Sequence, residues 1–361
     1  MEKNMSSKST YNLNEFDFEN GETLEDIHIC FESWGQLNLA RNNVILVCHA
    51  LTGTSHAAHN GREDDGWWDF LIGPGKAFDT DKNFVLCSNV LGGCSGTSGP
   101  ASTSPKTGKP YGMDFPVVTV RDIVRAQKRL IDHLEIQSLV TVTGASLGGM
   151  QALEWAALFP EKVESIVPIA VPGRAYPQSI AYRKVQRKAI MMDPNWENGH
   201  YYGNGVPDKG IEVARMIGFI SYRTEREFAT RFERKFADGD YLDIQGRFEI
   251  EQYLEHHAQK LAKWFDANTY LYLSKAMDLH DLGYGFQSYE AGVQRIKAAA
   301  LIIGFDSDIL FPIYQQKELA DILGETNSQT FFQEVKTLYG HDAFLLEKEQ
   351  LTEIISEFLD K

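Results

Sequence analysis

The sequence predicts an α/β fold: a doubly wound, mostly parallel sheet carrying a large helical insertion. Three observations lead there. From the start to about residue 172, β-rich runs alternate with a helical stretch, as in strands joined by crossover helices. From 173 to 295 the alternation gives way to helical stretches with almost nothing that reads as a strand. It then resumes and continues to the end of the chain.

Taken in order, strands are expected at 27–31, 44–48, 84–87, 139–143 and 163–167. The second reads Val-Ile-Leu-Val-Cys, an unbroken apolar run of the kind a parallel strand needs when both faces are covered. A helix is expected at 120–134, where apolar residues recur at helical spacing. Inside the insertion, 211–220 and 250–265 read as helices. A strand at 298–303, a helix near 312–322, a strand near 330–336 and a final amphipathic helix complete the pattern. The expected organisation is a core domain formed by 1–172 and 296–361, with 173–295 as a helical cap.

Composition narrows the function. At 361 residues the chain is long for one compact core, which suits one large domain with an insertion, or two domains. A formal charge of -15 opposes nonspecific attraction to nucleic acid and to anionic membranes. No apolar run is long enough to cross a bilayer, and residues 1–10 lack the apolar core of a signal peptide, so a cytoplasmic protein is expected. Cys30, Cys48, Cys87 and Cys94 show no C-x-x-C spacing and read as buried thiols rather than disulfides or zinc ligands. His56 with His59, and His256 with His257, have no third ligand beside them in the sequence, so no metal is expected. Arg183, Lys184, Arg187 and Lys188 form a basic i, i+4 cluster that reads as a solvated helix face, with phosphate contact as the alternative.

The feature with the most chemistry is Gly144-Ala145-Ser146-Leu147-Gly148, set between the 139–143 strand and a stretch of helical apolar spacing. In that context G-x-S-x-G is a nucleophile elbow; without it, the same residues would be only a glycine-rich turn. A serine hydroxyl needs a base within reach, and the base needs an acid to fix its tautomer. In α/β-hydrolases the order along the chain is serine, acid, histidine. Asp308 follows the strand that resumes the sheet, with Asp306 a rival in the same loop; Asp308 is preferred because proline stands four residues on, at Pro312. Of the ten histidines, His341 alone follows the last expected strand. The backbone N–H groups of Leu147 and Leu51 are the expected oxyanion donors, with Ala50 as the alternative to Leu51.

Several longer motifs agree with these residues. They are Cys48-His49-Ala50-Leu51-Thr52-Gly53, Gly66-Trp67-Trp68-Asp69, Ser88-Asn89-Val90-Leu91-Gly92-Gly93-Cys94, Thr107-Gly108-Lys109-Pro110-Tyr111-Gly112, Ser307-Asp308-Ile309-Leu310-Phe311-Pro312 and Gly340-His341-Asp342. Together they resemble the homoserine O-acetyltransferase family of α/β-hydrolase-fold enzymes. The resemblance implies that an acyl group passes from a coenzyme A thioester to Ser146 and then to the hydroxyl of L-homoserine, an early step of methionine biosynthesis. It implies no permanently bound cofactor, acetyl-CoA as co-substrate, and homodimers joined through the cap. It also implies acceptor recognition by Arg215, Tyr222 and Asp342. Chemically, a guanidinium can take an α-carboxylate bidentately and an aspartate an α-ammonium. Where the family more often has an acidic residue, this chain has Thr54, which bears on donor placement. The sequence leaves open a succinyl donor, serine as acceptor, an esterase using water, and a non-catalytic binding protein; the complete Ser146, Asp308 and His341 set opposes the last.

Overall fold

The computed structural model describes residues 7–61 and 65–360; most of the segment read for a signal peptide, residues 1–6, lies outside them. Eight strands form one sheet. Across it the order is Ser7–Asp17, Thr23–Trp34, Phe84–Ser88, Val44–Cys48, Leu139–Ala145, Val163–Ile169, Ala299–Phe305 and Thr330–Val335. Thr23–Trp34 runs antiparallel to both neighbours, and the pairings from Phe84–Ser88 onward are parallel. The expected strands are present: 44–48 has the expected bounds, 27–31, 84–87, 139–143 and 163–167 are longer than expected, and the last two, at 299–305 and 330–335, differ from expectation by one or two residues at an end. The Ser7–Asp17 strand was not anticipated: Ser, Lys, Thr, Asn and Glu dominate it, and among its residues 8–17 only Leu13 and Phe16 are buried. Its pairing with Thr23–Trp34, rather than its own propensity, makes it a strand.

Alternating side chains of the central strands enter two cores, one on each face. Val44, Leu46 and Cys48 pack with Ile123, Leu130, Met150 and Leu153 of the helices Val120–His133 and Leu147–Leu158. Ile45 and Val47 pack with Trp68, Leu351 and Ile355, the last two from the C-terminal helix Lys348–Leu359. Burial on both faces is why these strands read as continuous apolar runs. Helix Val120–His133 is started by a capping box, with Thr119 and Asp122 each accepting the other's backbone N–H.

Between Val163–Ile169 and Ala299–Phe305 the chain forms helices Pro177–Met192, Asp208–Tyr222, Glu225–Phe232, Glu249–Ala262 and Ala267–Leu279. The small strand content here is one antiparallel ribbon, Phe236–Asp238 with Arg247–Phe248. It is too short to leave a period-two pattern, and side-chain bonds from Arg247 to Asp238 help close it. The basic cluster is corrected. Arg183 is 3% exposed, and both it and Arg187 reach Asp278 on helix Ala267–Leu279, so these arginines face inward, not into solvent. Their i, i+4 spacing was legible; the buried acid opposite them was not.

Cys30, Cys48 and Cys87 are buried, Cys94 is partly so, and none is paired. Burial pushes the Cys94 thiol up to about 11 and raises those of Cys48 and Cys87 as well, so these thiols stay protonated at neutral pH. Among the described residues no cluster of three or more His, Cys, Asp or Glu side chains could hold a metal ion, and no helix is long and apolar enough to cross a membrane.

Candidate active site

The sheet order reverses between Val44–Cys48 and Leu139–Ala145, which opens a crevice beyond the carboxyl ends of these adjacent strands. Ser146 stands there, between the end of one strand and the first residue of helix Leu147–Leu158. Its backbone has φ 56° and ψ -121°, a conformation L-residues rarely adopt. A Cβ on Gly148 would lie 2.0 Å from the Cys48 carbonyl oxygen, and one on Gly144 2.5 Å from the same atom. Only glycine at both positions lets the elbow approach the neighbouring strand end so closely.

That approach brings Ser146 to the loop after Cys48. His49 is buried, and burial holds its imidazole pKa down at about 4. The ring is therefore neutral at pH 7, with Nδ1 donating to the Ala50 carbonyl and Nε2 accepting from Val90 N–H. The same Ala50 carbonyl accepts from Gly53 N–H, and Gln151 donates to the His49 carbonyl. These bonds fix the turn that carries Leu51 beside Ser146. The Leu147 N–H lies in the first turn of its helix, where no intrahelical acceptor exists and the dipole favours negative charge. The two expected oxyanion donors thus belong to a hydrogen-bonded turn and to a helix start.

His341 and Asp308 come from the loops after the last two strands. The Nδ1 of His341 donates to Asp308 Oδ2 at 2.7 Å, and both side chains are buried. Asp308 Oδ1 accepts from the N–H groups of Leu310 and Phe311 at 2.8 and 2.9 Å, which locks the carboxylate toward the imidazole. With its proton on Nδ1, the ring keeps its Nε2 lone pair for a hydroxyl. Asp306 is exposed and accepts from Thr337 N–H instead, so the rival acid ties the two loops together rather than serving the histidine.

Ser146 and His341 line one cavity of about 610 Å³, together with Leu51, Arg215, Tyr222 and Asp342. Helix Asp208–Tyr222 closes over it because Gly340, at φ 60°, lets the histidine loop pass under the helix end; a Cβ there would meet the Tyr222 carbonyl oxygen at 2.7 Å. The Arg215 guanidinium lies over the rings of Phe219 and Tyr222 at 4.5 and 5.9 Å, and its buried Nε has no hydrogen-bond partner. The carboxylate of Asp342 faces Arg223 Nε at 2.9 Å; burial raises its pKa, against the opposing charges of Arg223, His341 and Arg215. His257, on the same wall, is held down to about 4 by burial and by neighbouring cations including Arg215, Arg223 and Lys260, so it is neutral at pH 7.

A family model described as alpha/beta hydrolase fold matches residues 43–348. Homoserine O-acetyltransferase from Deferribacter desulfuricans is 52% identical over 96% of this chain and 93% of its own length. That from Symbiobacterium thermophilum is 49% identical over 95% and 91%. The chain belongs to the homoserine O-acetyltransferase family. Among solved structures, homoserine O-acetyltransferase from Bacillus anthracis superimposes with a TM-score of 0.92 at 33% identity, covering 99% of this chain and 98% of that one. Esterase E22 superimposes with a TM-score of 0.91 at 31% identity, covering 98% and 100%.

For a member of this family, the structure adds cavity residues that sequence reasoning did not single out for the site. Arg223 pairs with both Asp342 and Glu227, yet in the sequence it is one more charge after a helix end. Trp67 and Trp264 also line the cavity; Trp67 stood out only as part of the Gly66-Trp67-Trp68-Asp69 motif, with no role given to it, and no local pattern marks Trp264. Arg183 stood out only as part of a basic cluster, and its burial is a tertiary fact.

Proposed function

We propose that this chain moves an acetyl group from acetyl-CoA to the side-chain hydroxyl of L-homoserine through an acyl-enzyme on Ser146. The observation that carries this reading is the Asp308–His341 pair opening on the same cavity as Ser146, Arg215 and Asp342. In the first half-reaction Ser146 Oγ attacks the thioester carbonyl while its proton passes to His341 Nε2. The N–H groups of Leu147 and Leu51 take the developing oxyanion, and coenzyme A departs with the proton from His341. In the second, the homoserine hydroxyl gives its proton to His341 and attacks the acyl carbonyl, and Ser146 leaves protonated. Arg215, with Tyr222 beside it, meets the acceptor carboxylate, and Asp342, steadied by Arg223, meets its ammonium. The names of the relatives support acetyl transfer, and the acyl-CoA donor is part of the proposal. Membership in a family of biosynthetic enzymes supports work in the cytoplasm.

Initial-rate plots against both substrates are expected to give parallel lines, and labelled coenzyme A is expected to exchange into acetyl-CoA without homoserine. Intersecting lines without exchange would mean direct transfer in a ternary complex. The likeness to esterase E22 favours a second reading, hydrolysis, in which water replaces homoserine. Release of free acetate at a rate that homoserine does not divert to product would decide for it.

We also propose a homodimer through the cap. A hollow of about 430 Å³ bordered by Ile220, Phe228, Phe232 and Ile250 from the cap and Ile309 from the core supports it, with Ile220 about half exposed. Light scattering at micromolar concentration is expected to give twice the chain mass, and a monomer would refute it.

A further inference from the structure

Arg183 is among the most deeply buried cations of the described chain, and it lines the cavity that holds Ser146. Its Nε donates to Asp278 at 2.6 Å and its Nη2 to Ser179 Oγ at 3.1 Å. Its Nη1 is buried and has no hydrogen-bond partner. A buried guanidinium nitrogen left without an acceptor is costly, and an acceptor arriving with a ligand in this cavity would relieve that cost. Charge leads to the same place. Asp278 answers both Arg183 and Arg187, and this buried group therefore carries one positive charge in excess.

Its position limits what that ligand group can be. The Arg183 guanidinium lies 6.0 Å from the centre of the Phe311 ring, whose other neighbour, at 5.2 Å, is the His341 imidazole. Tyr222 feels the charges of both Arg183 and Arg215 and lies 5.8 Å, ring to ring, from His341. Two arginines, each with a buried nitrogen lacking a partner, thus line the same cavity as Tyr222 and His341. The anion that belongs this close to His341 is the one attached to the acceptor, because the phosphates of a coenzyme A thioester stand at the far end of a long pantetheine arm.

We infer that Arg183 is a second acceptor-binding residue, its Nη1 donating to the carboxylate of the amino-acid acceptor beside Arg215. This rests on the amino-acid acceptor proposed above and adds the residue that fixes where the carboxylate sits. Asp278 and Ser179 hold the guanidinium from behind, so the donor is positioned before the ligand enters. A lysine at this position would keep the charge toward Asp278 but lose the planar fork.

The test pairs one variant with two acceptors. Arg183→Lys is compared with the unaltered protein using L-homoserine and 3-amino-1-propanol, which is homoserine without its carboxylate. The expected result is a loss in kcat/KM for homoserine at least about tenfold greater than the loss for 3-amino-1-propanol, carried mainly by KM. Equal losses for the two acceptors would overturn the assignment and leave Arg183 a structural ion pair. A crystal structure of the Ser146→Ala protein with L-homoserine tests it without altering Arg183: a carboxylate oxygen within hydrogen-bond distance of Nη1 is expected, and a carboxylate resting on Arg215 alone would overturn it. If the unaltered protein does not acylate homoserine at all, the transferase reading itself fails, which is a separate outcome.

Discussion

Ser146→Ala is expected to lower acetyl transfer by about four orders of magnitude or more, the scale seen when the nucleophile of a catalytic triad is removed. Four decades correspond to about 5.4 kcal/mol of transition-state stabilisation. The fold should survive. The change deletes one oxygen at a residue whose side chain makes no capping bond to its helix, and alanine meets the same backbone strain at φ 56° as serine does. The melting temperature is expected to stay within a few degrees, because 1 kcal/mol moves the midpoint of a domain this large by about 2–4 °C or less. Intact-mass spectrometry after mixing with acetyl-CoA should show an acetyl adduct on the unaltered protein and none on the variant. A variant that keeps substantial transfer would place the nucleophile elsewhere.

Asp308→Asn is expected to cost about 10⁴-fold in kcat, by analogy with the same change in a serine protease triad. An amide in that position presents an N–H to His341 Nδ1, and the imidazole can then accept there only by moving its proton to Nε2. The base faces Ser146 in the wrong tautomer. The effect should be large because the Asp308 carboxylate is buried and already fixed by Leu310 and Phe311 N–H, so it has no room to reorient. Asp306→Asn should change kcat less than about threefold, since that residue is exposed and bonds to Thr337. Initial rates under saturating acetyl-CoA and homoserine check both variants. If Asp306→Asn is the damaging change, the histidine takes its orientation from the other carboxylate.

The two acids also show how far local sequence goes. Both sit in one loop, two residues apart, after a strand that was recognisable from its apolar run. Proline four residues later favoured Asp308, but that is a loop habit and not a contact. Deciding between them took the direction of each side chain at the end of Ala299–Phe305, and that direction depends on the neighbouring strand and its loop.

By itself the sequence determined the strand and helix alternation, the run of helices between Val163–Ile169 and Ala299–Phe305, and the strand, turn and helix around Ser146, and it supplied the serine, acid and histidine proposed to act together. These are legible because each follows from a local rule: residue spacing that matches a helical or strand period, glycines where a Cβ would strike the next strand, a nucleophile between strand and helix. Only the tertiary structure decided what long-range pairing controls. It made a strand of Ser7–Asp17 through its partner Thr23–Trp34, since the segment's own residues do not ask for one. It turned Arg183 and Arg187 inward onto Asp278, about ninety residues away, where the i, i+4 spacing suggested a wet face. It paired Asp342 with Arg223 from the cap, so that an acid expected to wait for an ammonium already has a cation at one side. In each case a segment or side chain takes its role from a partner distant in the chain; for the inward-facing arginines and Asp342, burial adds to the need for that partner, because taking a charge out of water is costly.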